Sequence, residues 1–171
     1  RWILTDNIDI LAGYQYTEAG ITNLEDINNP EFRRLIKEVV RAHAVFVEGN
    51  IISNNTNLRA GVRTNYLEKF DRLLIEPRLA FNQKLFNNFY LELLGEMKSQ
   101  YTTQIIDYQT DFLGIEKRRW VLSNDEDIPI IKSKQISVGI HYKRSRFLVN
   151  LEGYIKEVDG IISSSQGFQN Q

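Results

Sequence analysis

The fold class predicted from the residues is all-β: an antiparallel up-and-down transmembrane β-barrel, present as a fragment of about seven to eight long strands, with tight turns at one end and long loops at the other. Three observations predict it. Apolar and polar side chains alternate with a period of two over most of the chain, which puts successive residues on opposite faces of a strand. Every second connection is tight. The alternating runs extend over about 11 to 13 residues, longer than the five or six usual in soluble sheets and suited to a tilted bilayer crossing.

Taken in order, Ile8, Ile10, Ala12, Tyr14 and Tyr16 share one face of the first run. The stretch "NPEFRRLIKEVVRAH" resists the pattern, because Phe32, Leu35, Ile36, Val39 and Val40 recur at helical spacing and Asn29 and Pro30 stand as N-cap and first helical residue. Its expected form is a loop with a helical turn, running into an extended strand by about Val39. "HAVFVEGNII" then returns through "SNNTN" into Leu58, Ala60, Val62, Thr64 and Tyr66, which alternate with Arg59, Gly61, Arg63 and Asn65.

Residues 73 to 85 carry Leu73, Ile75, Pro77, Leu79, Phe81 and Leu85 on one face and Glu76, Arg78, Asn82 and Lys84 on the other. After a turn at Phe86 to Asn88, the residues Phe89, Leu91, Leu93, Gly95 and Met97 alternate with Glu92, Glu96 and Lys98, closing a hairpin. In a barrel, Ile75, Leu79 and Phe81 face lipid, while Glu76, Arg78, Glu92, Glu96 and Lys98 face the lumen or a plug within it. The last hairpin runs from Ile136, Val138, Ile140 and Tyr142 through a turn at Arg144 to Arg146 into Phe147, Val149, Leu151, Gly153 and Ile155.

The connections read long (17 to 37), short (53 to 57), modest (67 to 72), short (86 to 88), long (102 to 133) and short (144 to 146). In an up-and-down sheet successive connections fall at opposite ends, so this sequence of lengths gives one tight end and one looped end, as in outer-membrane barrels. A soluble eight-stranded calyx of the lipocalin type has about this length and the same alternation, and an outer-membrane adhesin or anchor shares the membrane pattern. The membrane is favoured by a polar face with both signs of charge and by aromatics gathered near strand ends. Seven strands do not close a bacterial single-chain barrel, so residues 1–171 read as part of one β-barrel domain cut from a longer chain, without its N-terminal plug and C-terminal strands.

The formal net charge is -1, with 21 Lys+Arg against 22 Asp+Glu and no basic stripe, so no nucleic-acid partner is expected. The absence of cysteine removes disulfides, thiolate metal sites and cysteine nucleophiles. Mean hydropathy is -0.35, and no apolar run reaches the length of a membrane helix, which excludes only the helical kind of membrane protein. No catalytic motif occurs, and neither enzymatic activity nor a cofactor is expected. His43 and His141 have no acidic neighbour at ligand spacing, and the acidic run Asp125, Glu126 and Asp127 lacks a spaced ligand set, so no metal site is expected. In the segment from 102 to 133, Tyr108 and Trp120 can stack on a ligand, and Arg118 and Arg119 can pair with a carboxylate or phosphate; the same residues equally suit packing of the loop on itself.

"IEPRLAFNQKL", "DFLGIEKRRWVLSNDEDIPIIKSKQISVGIHYK" and "EGYIKEVDGIISSSQGFQNQ" resemble the barrel portion of TonB-dependent outer-membrane receptors, particularly those of Bacteroidetes-type bacteria. The resemblance spans most of the chain from about Arg41 to Gln171 and marks topology without recording a substrate. It implies a large plugged barrel in the outer membrane of a Gram-negative bacterium. Its implied partners are outer-membrane lipid, an extracellular nutrient (siderophore, vitamin, glycan or peptide), the TonB-ExbB-ExbD complex acting through the missing plug, and a capping surface lipoprotein.

Overall fold

The computed structural model describes residues 1–28, 31–107, 117–124 and 127–162, with the side chains of 25–28, 31–32, 106–107 and 117–119 left aside. The strands are β1 (Trp2–Thr5), β2 (Ile8–Asn28), β3 (Glu31–Ile52), β4 (Thr56–Leu67), β5 (Arg72–Phe86), β6 (Phe89–Gln100), β7 (Thr102–Asp107), β8 (Lys117–Leu122), β9 (Ile131–Arg144) and β10 (Phe147–Asp159). Eight form one antiparallel sheet in the order β1-β2-β3-β4-β5-β6-β9-β10, and β7 and β8 pair as a separate hairpin. The sheet is therefore up-and-down, with β7 and β8 as an excursion between β6 and β9. Its outermost strands among the described residues are β1 and β10, as in a piece of barrel wall.

Backbone bonds stitch the tight end together. The Ile52 N–H donates to the Asn7 carbonyl, Lys84 N–H to Asn55 and Lys143 N–H to Asn88, so each turn is tied to the strand beside it. The turns at 6–7, 53–55, 87–88 and 145–146 therefore lie side by side at one end. At the other end are the short 3₁₀ turn Glu68–Phe70 and the segment that carries β7 and β8.

Two expectations about the looped end are corrected. The connection from 17 to 37 is strand on both sides of residues 29 and 30, where the expected N-cap Asn29 and Pro30 lie outside the described residues: β2 has 21 residues and β3 has 22, paired in register from Ile8↔Ile51 to Asn28↔Glu31. The helical turn expected before Val39 is likewise a strand from Glu31 onward. Its spacing misled because the extension is apolar on both faces: Ile36 and Val40 share one face and Leu35 and Val39 the other. Val40 is fully buried, whereas Leu35 and Val39 remain exposed, so inner coverage by another segment lets greasy residues accumulate on both sides. The described residues of the segment 102–133 include a ladder from Thr102↔Leu122 through Asp107↔Lys117, where a loop was expected. A further strand, β1, was too short to show a period.

Register fixes the faces. Leu11, Glu48, Gly61, Arg78, Glu96, Gln135 and Lys156 lie in one row across the sheet, and the residues two positions away along each strand share that face. Here ions pair between strands, Arg59 with Glu48 at 3.6 Å, and along one strand, Lys98 with Glu96 at 2.7 Å, while Arg63 donates to Gln15 of β2 and to Asn65 of its own strand. The opposite face presents Val45, Val47, Ile75, Leu79, Val138, Leu151 and Ile155, all exposed. From Phe147 to Ile155 this band is eight residue steps long, roughly 26 Å along the strand, the scale of the apolar belt of an outer-membrane barrel.

Aromatic residues mark both edges of the belt. Phe86, Phe89 and Tyr142 stack in a row by the tight turns, with ring centroids 6.5 and 4.9 Å apart. At the far edge the Tyr16 ring lies 5.2 Å from that of His43. Just beyond them on the same face Arg41 is bonded to Glu18 at 3.1 Å. Gly13 is a close approach on the charged face: a Cβ there would fall 2.5 Å from the Phe46 ring, which covers the glycine of the neighbouring strand.

Candidate functional site

The buried core sits at the looped end of the charged face. Ala42, Leu67 and Leu74 form its centre, with Phe70, Tyr101 and Ile130 packed against them. Tyr101 and Ile130 bracket the β7–β8 excursion, so both ends of that segment are anchored over the sheet. The Ser123 N–H donates to the Tyr101 carbonyl at 2.8 Å, the Ser123 hydroxyl donates to the Pro129 carbonyl, and both the Asp127 and Ile128 N–H groups donate to Asn124 Oδ1. With Leu122 and Ser123 buried, the return stretch forms a roof rather than a free loop.

β8 lies against the inner face of the β2–β3 extension. Asn23 Nδ2 donates to the Trp120 carbonyl at 2.9 Å, and between the two elements is a cleft of about 320 Å³. Its walls include Ile21, Asn23, Arg34, Ile36 and Glu38 from the extension, Lys69 from the 3₁₀ turn, and Trp120 and Asn124 from the roof. All five extension residues have the parity of the charged face. The cleft offers a half-exposed indole for stacking, the Arg34 guanidinium, and a Lys69–Glu38 ion pair at 3.1 Å. A small ligand with a flat or apolar part and an anionic group suits those surfaces. A second cleft of about 380 Å³ opens on the other side of Asn124, between Phe70, Arg72, Lys132 and Asp159.

Of the residues singled out in the sequence, Trp120 lines the first cleft. Arg118 and Arg119 belong to β8, opposite Ile106 and Ile105, and their side chains lie outside the described residues, as do Tyr108, Asp125 and Glu126. Arg78, Glu92, Glu96 and Lys98 share the charged face by register, with Arg78 opposite Glu96. Arg34, Lys69 and Asn23 were not singled out. Nothing local marks them, because the cleft forms only when a segment some 90 residues downstream folds back, as the separation of 97 between Asn23 and Trp120 shows.

Glu76 has a more particular place. The Lys84 N–H points to β4, so even-numbered donors of β5 face β4 and odd-numbered positions, Pro77 among them, face β6. Proline has no N–H, and the β5–β6 ladder stops at Arg78↔Glu96, one step short of it. Above that point Glu76, almost fully buried, enters the seam and accepts the Ser99 N–H at 3.0 Å and the Ser99 hydroxyl. One carboxylate replaces the missing ladder. Glu76→Ala is expected to leave the Ser99 N–H unpaired at a cost of about 1–3 kcal/mol. Amide exchange should quicken at Ser99 but not at Leu93; equal protection in both proteins would refute the clasp.

Both histidines have carboxylates that spacing did not reveal. His43 bridges Tyr14 Oη and Glu68 Oε1, each at 2.6 Å, at the edge of the apolar belt. His141 Nε2 is 3.9 Å from Glu92, and its Nδ1 is 3.0 Å from Asn150 Oδ1. Among the described residues no group of three His, Cys, Asp or Glu is placed to hold a metal.

The sheet and its two faces define a piece of β-barrel wall. No family model and no curated protein sequence matches the chain. The chain is similar in structure to the siderophore receptor PirA from Acinetobacter baumannii, with a TM-score of 0.62 at 17% sequence identity. The match covers 88% of this chain and 24% of that one, so the chain spans about a quarter of the receptor's length. At that identity the likeness establishes a shared barrel fold.

Proposed function

We propose that the chain is part of the wall of an outer-membrane active-transport receptor of the TonB-dependent, Bacteroidetes type. The apolar face meets lipid, the charged face lines a lumen holding a plug, and the roofed cleft at the extracellular end helps bind a nutrient: siderophore, vitamin, glycan or peptide. Import draws on the TonB-ExbB-ExbD complex through the plug, and a surface lipoprotein caps the mouth. The reading assigns the chain binding and no catalysis, in keeping with its receptor neighbour.

The observation that carries it is the packing of Tyr101 and Ile130 against the core on the charged face, with Ser123 bonded to Tyr101. A soluble calyx would need its apolar face enclosed; here the roof covers the charged face and the apolar one stays bare. An open cleft over a lumen, lined by an indole and both signs of charge, is a ligand entrance.

The test is growth of a deletion strain on a panel of iron chelates, vitamins, oligosaccharides and peptides. Loss of growth on one class identifies the cargo. Trp120→Ala in the restored protein is then expected to raise the Kd for that cargo about tenfold, the loss of one stacking contact. Unimpaired growth on every nutrient, or recovery of the protein in the soluble fraction, would sink the reading.

A further inference from the structure

We propose that Glu76 is a two-position latch for the roof: it closes the roof by holding Ser99 across the seam between β5 and β6, and releases it by turning to Arg78. The inference rests on the roofed cleft being the cargo site and adds how that site opens.

The seam separates the roof from its floor. The described roof leaves the sheet from the tips of two paired strands: Tyr101 follows Gln100 of β6, Ile130 precedes Ile131 of β9, and Gln100 is opposite Ile131. The core beneath is built by Ala42, Leu67 and Leu74, from β3, β4 and β5. Both ends of the roof thus stand on one side of the seam and the floor on the other. Each cleft has walls from both sides: Lys132 and Asp159 with Phe70 and Arg72 around the larger, Trp120 with Arg34 around the smaller. Parting the seam widens both.

No ladder holds the seam shut. The β5–β6 pairing ends at Arg78↔Glu96, and among the described residues the stretch from Leu73 to Pro77 pairs only with β4 and that from Met97 to Gln100 only with β9. Between the two banks is a recess of about 140 Å³, with Leu73, Leu74 and Ile75 on one and Met97, Lys98 and Ser99 on the other. Such space forfeits packing contacts and leaves the banks room to shift. What spans the seam there is the Glu76 carboxylate, whose Oε1 accepts both the Ser99 N–H and the Ser99 hydroxyl.

The same carboxylate has a second partner within reach. Arg78 Nη2 lies 4.0 Å from Glu76 Oε2, two residues along the strand on the same face. Glu96, opposite Arg78, is already bonded to Lys98 at 2.7 Å, which leaves Glu76 as the carboxylate for Arg78 to take. Letting go of Ser99 therefore does not strand a buried charge, the outcome that makes most buried carboxylates immovable. The carboxylate closes the remaining distance to a half-exposed guanidinium instead. One group with a partner in each position is a two-state element, and the roof is what it biases.

The experiment measures hydrogen exchange at the Ser99 and Ser123 amides in the full-length protein carrying this chain, folded in detergent micelles, with the Leu93 amide below the seam as reference. Arg78→Gln removes the open-state partner and is expected to slow exchange at both serines about threefold, the size of a half-exposed ion pair. Glu76→Ala removes the latch and should quicken both about tenfold, the size of a hydrogen bond to a charged group. With Glu76→Ala in place, Arg78→Gln should change nothing further, because it acts only through the carboxylate. Leu93 should keep its protection throughout. A clasp that is merely structural predicts the opposite for Arg78, whose guanidinium would then only support the carboxylate. Unchanged or faster exchange in Arg78→Gln therefore overturns the latch, even if Glu76→Ala does not fold. Exchange is read without cargo: failure of the transport reading in the growth test leaves the latch standing, and unchanged exchange overturns the latch whatever growth shows.

Discussion

Replacing Val138 by Arg is expected to cost about 2–4 kcal/mol of folding stability in a bilayer, the penalty for a guanidinium near the midplane of a barrel's lipid face. Val138 stands between Leu93 and Gly153 in the centre of the apolar belt, with Ile136 and Ile140 two residues away on the same face. The matched control is Gln135→Arg on the same strand. Gln135 lies between Glu96 and Lys156 on the charged face, so the new cation meets one neighbour of each sign and the change should stay within about 0.5 kcal/mol. Urea titration of the protein refolded into phospholipid vesicles, followed by tryptophan fluorescence, measures both. Equal costs on the two faces would mean that neither is turned to lipid.

Leu67→Ala is expected to cost about 2–5 kcal/mol, the range for emptying a closed aliphatic site. Leu67 is fully buried in the cluster with Ala42 and Leu74, under Tyr101 and Ile130. Its loss falls where the roof meets the wall, so the effect should be regional. Exchange of the Ser123 amide, bonded to the Tyr101 carbonyl, should quicken, while amides of the β9–β10 ladder keep their protection. Unchanged exchange at Ser123 would show that the roof is held by something other than this core. Because Trp120 sits on that roof, the same variant should also weaken cargo binding more than Trp120→Ala does.

The middle of the sheet was legible in the sequence. From Leu58 to Met97 and from Ile136 to Ile155 each strand follows a period of two, apart from adjacent apolar residues such as Leu73–Leu74, Leu93–Leu94 and Phe147–Val149, and the observed ladders keep that phase with a single irregularity between Lys84 and Phe86. The Pro77 position could be read as a strand residue, but its consequence could not, since which neighbour its missing N–H faces depends on register with two other strands. The extension of β2 and β3 failed for a different reason. Period-two reasoning presumes one wet face and one dry face, and between Arg33 and Val40 the inner face is covered by a distant hairpin while the outer face is in the open. Arg34, Lys69 and Asn23 carry no local mark of the cleft they line; Trp120 drew notice because an indole can stack on a ligand.

What the residues determined unaided is local and periodic: strands, the phase of their two faces, and which turns are tight. Those follow from the geometry of a pleated chain, in which each side chain's face is set by counting from its neighbour. Only the tertiary structure decided which distant segments meet: the packing of Tyr101 and Ile130 over Ala42 and Leu67, the bridge from His43 to Glu68, and the entry of Glu76 into the seam beside Ser99. These contacts join residues 25 or so positions apart and more, and their partners are chosen by which buried surface or unpaired donor is left over once the ladders have formed.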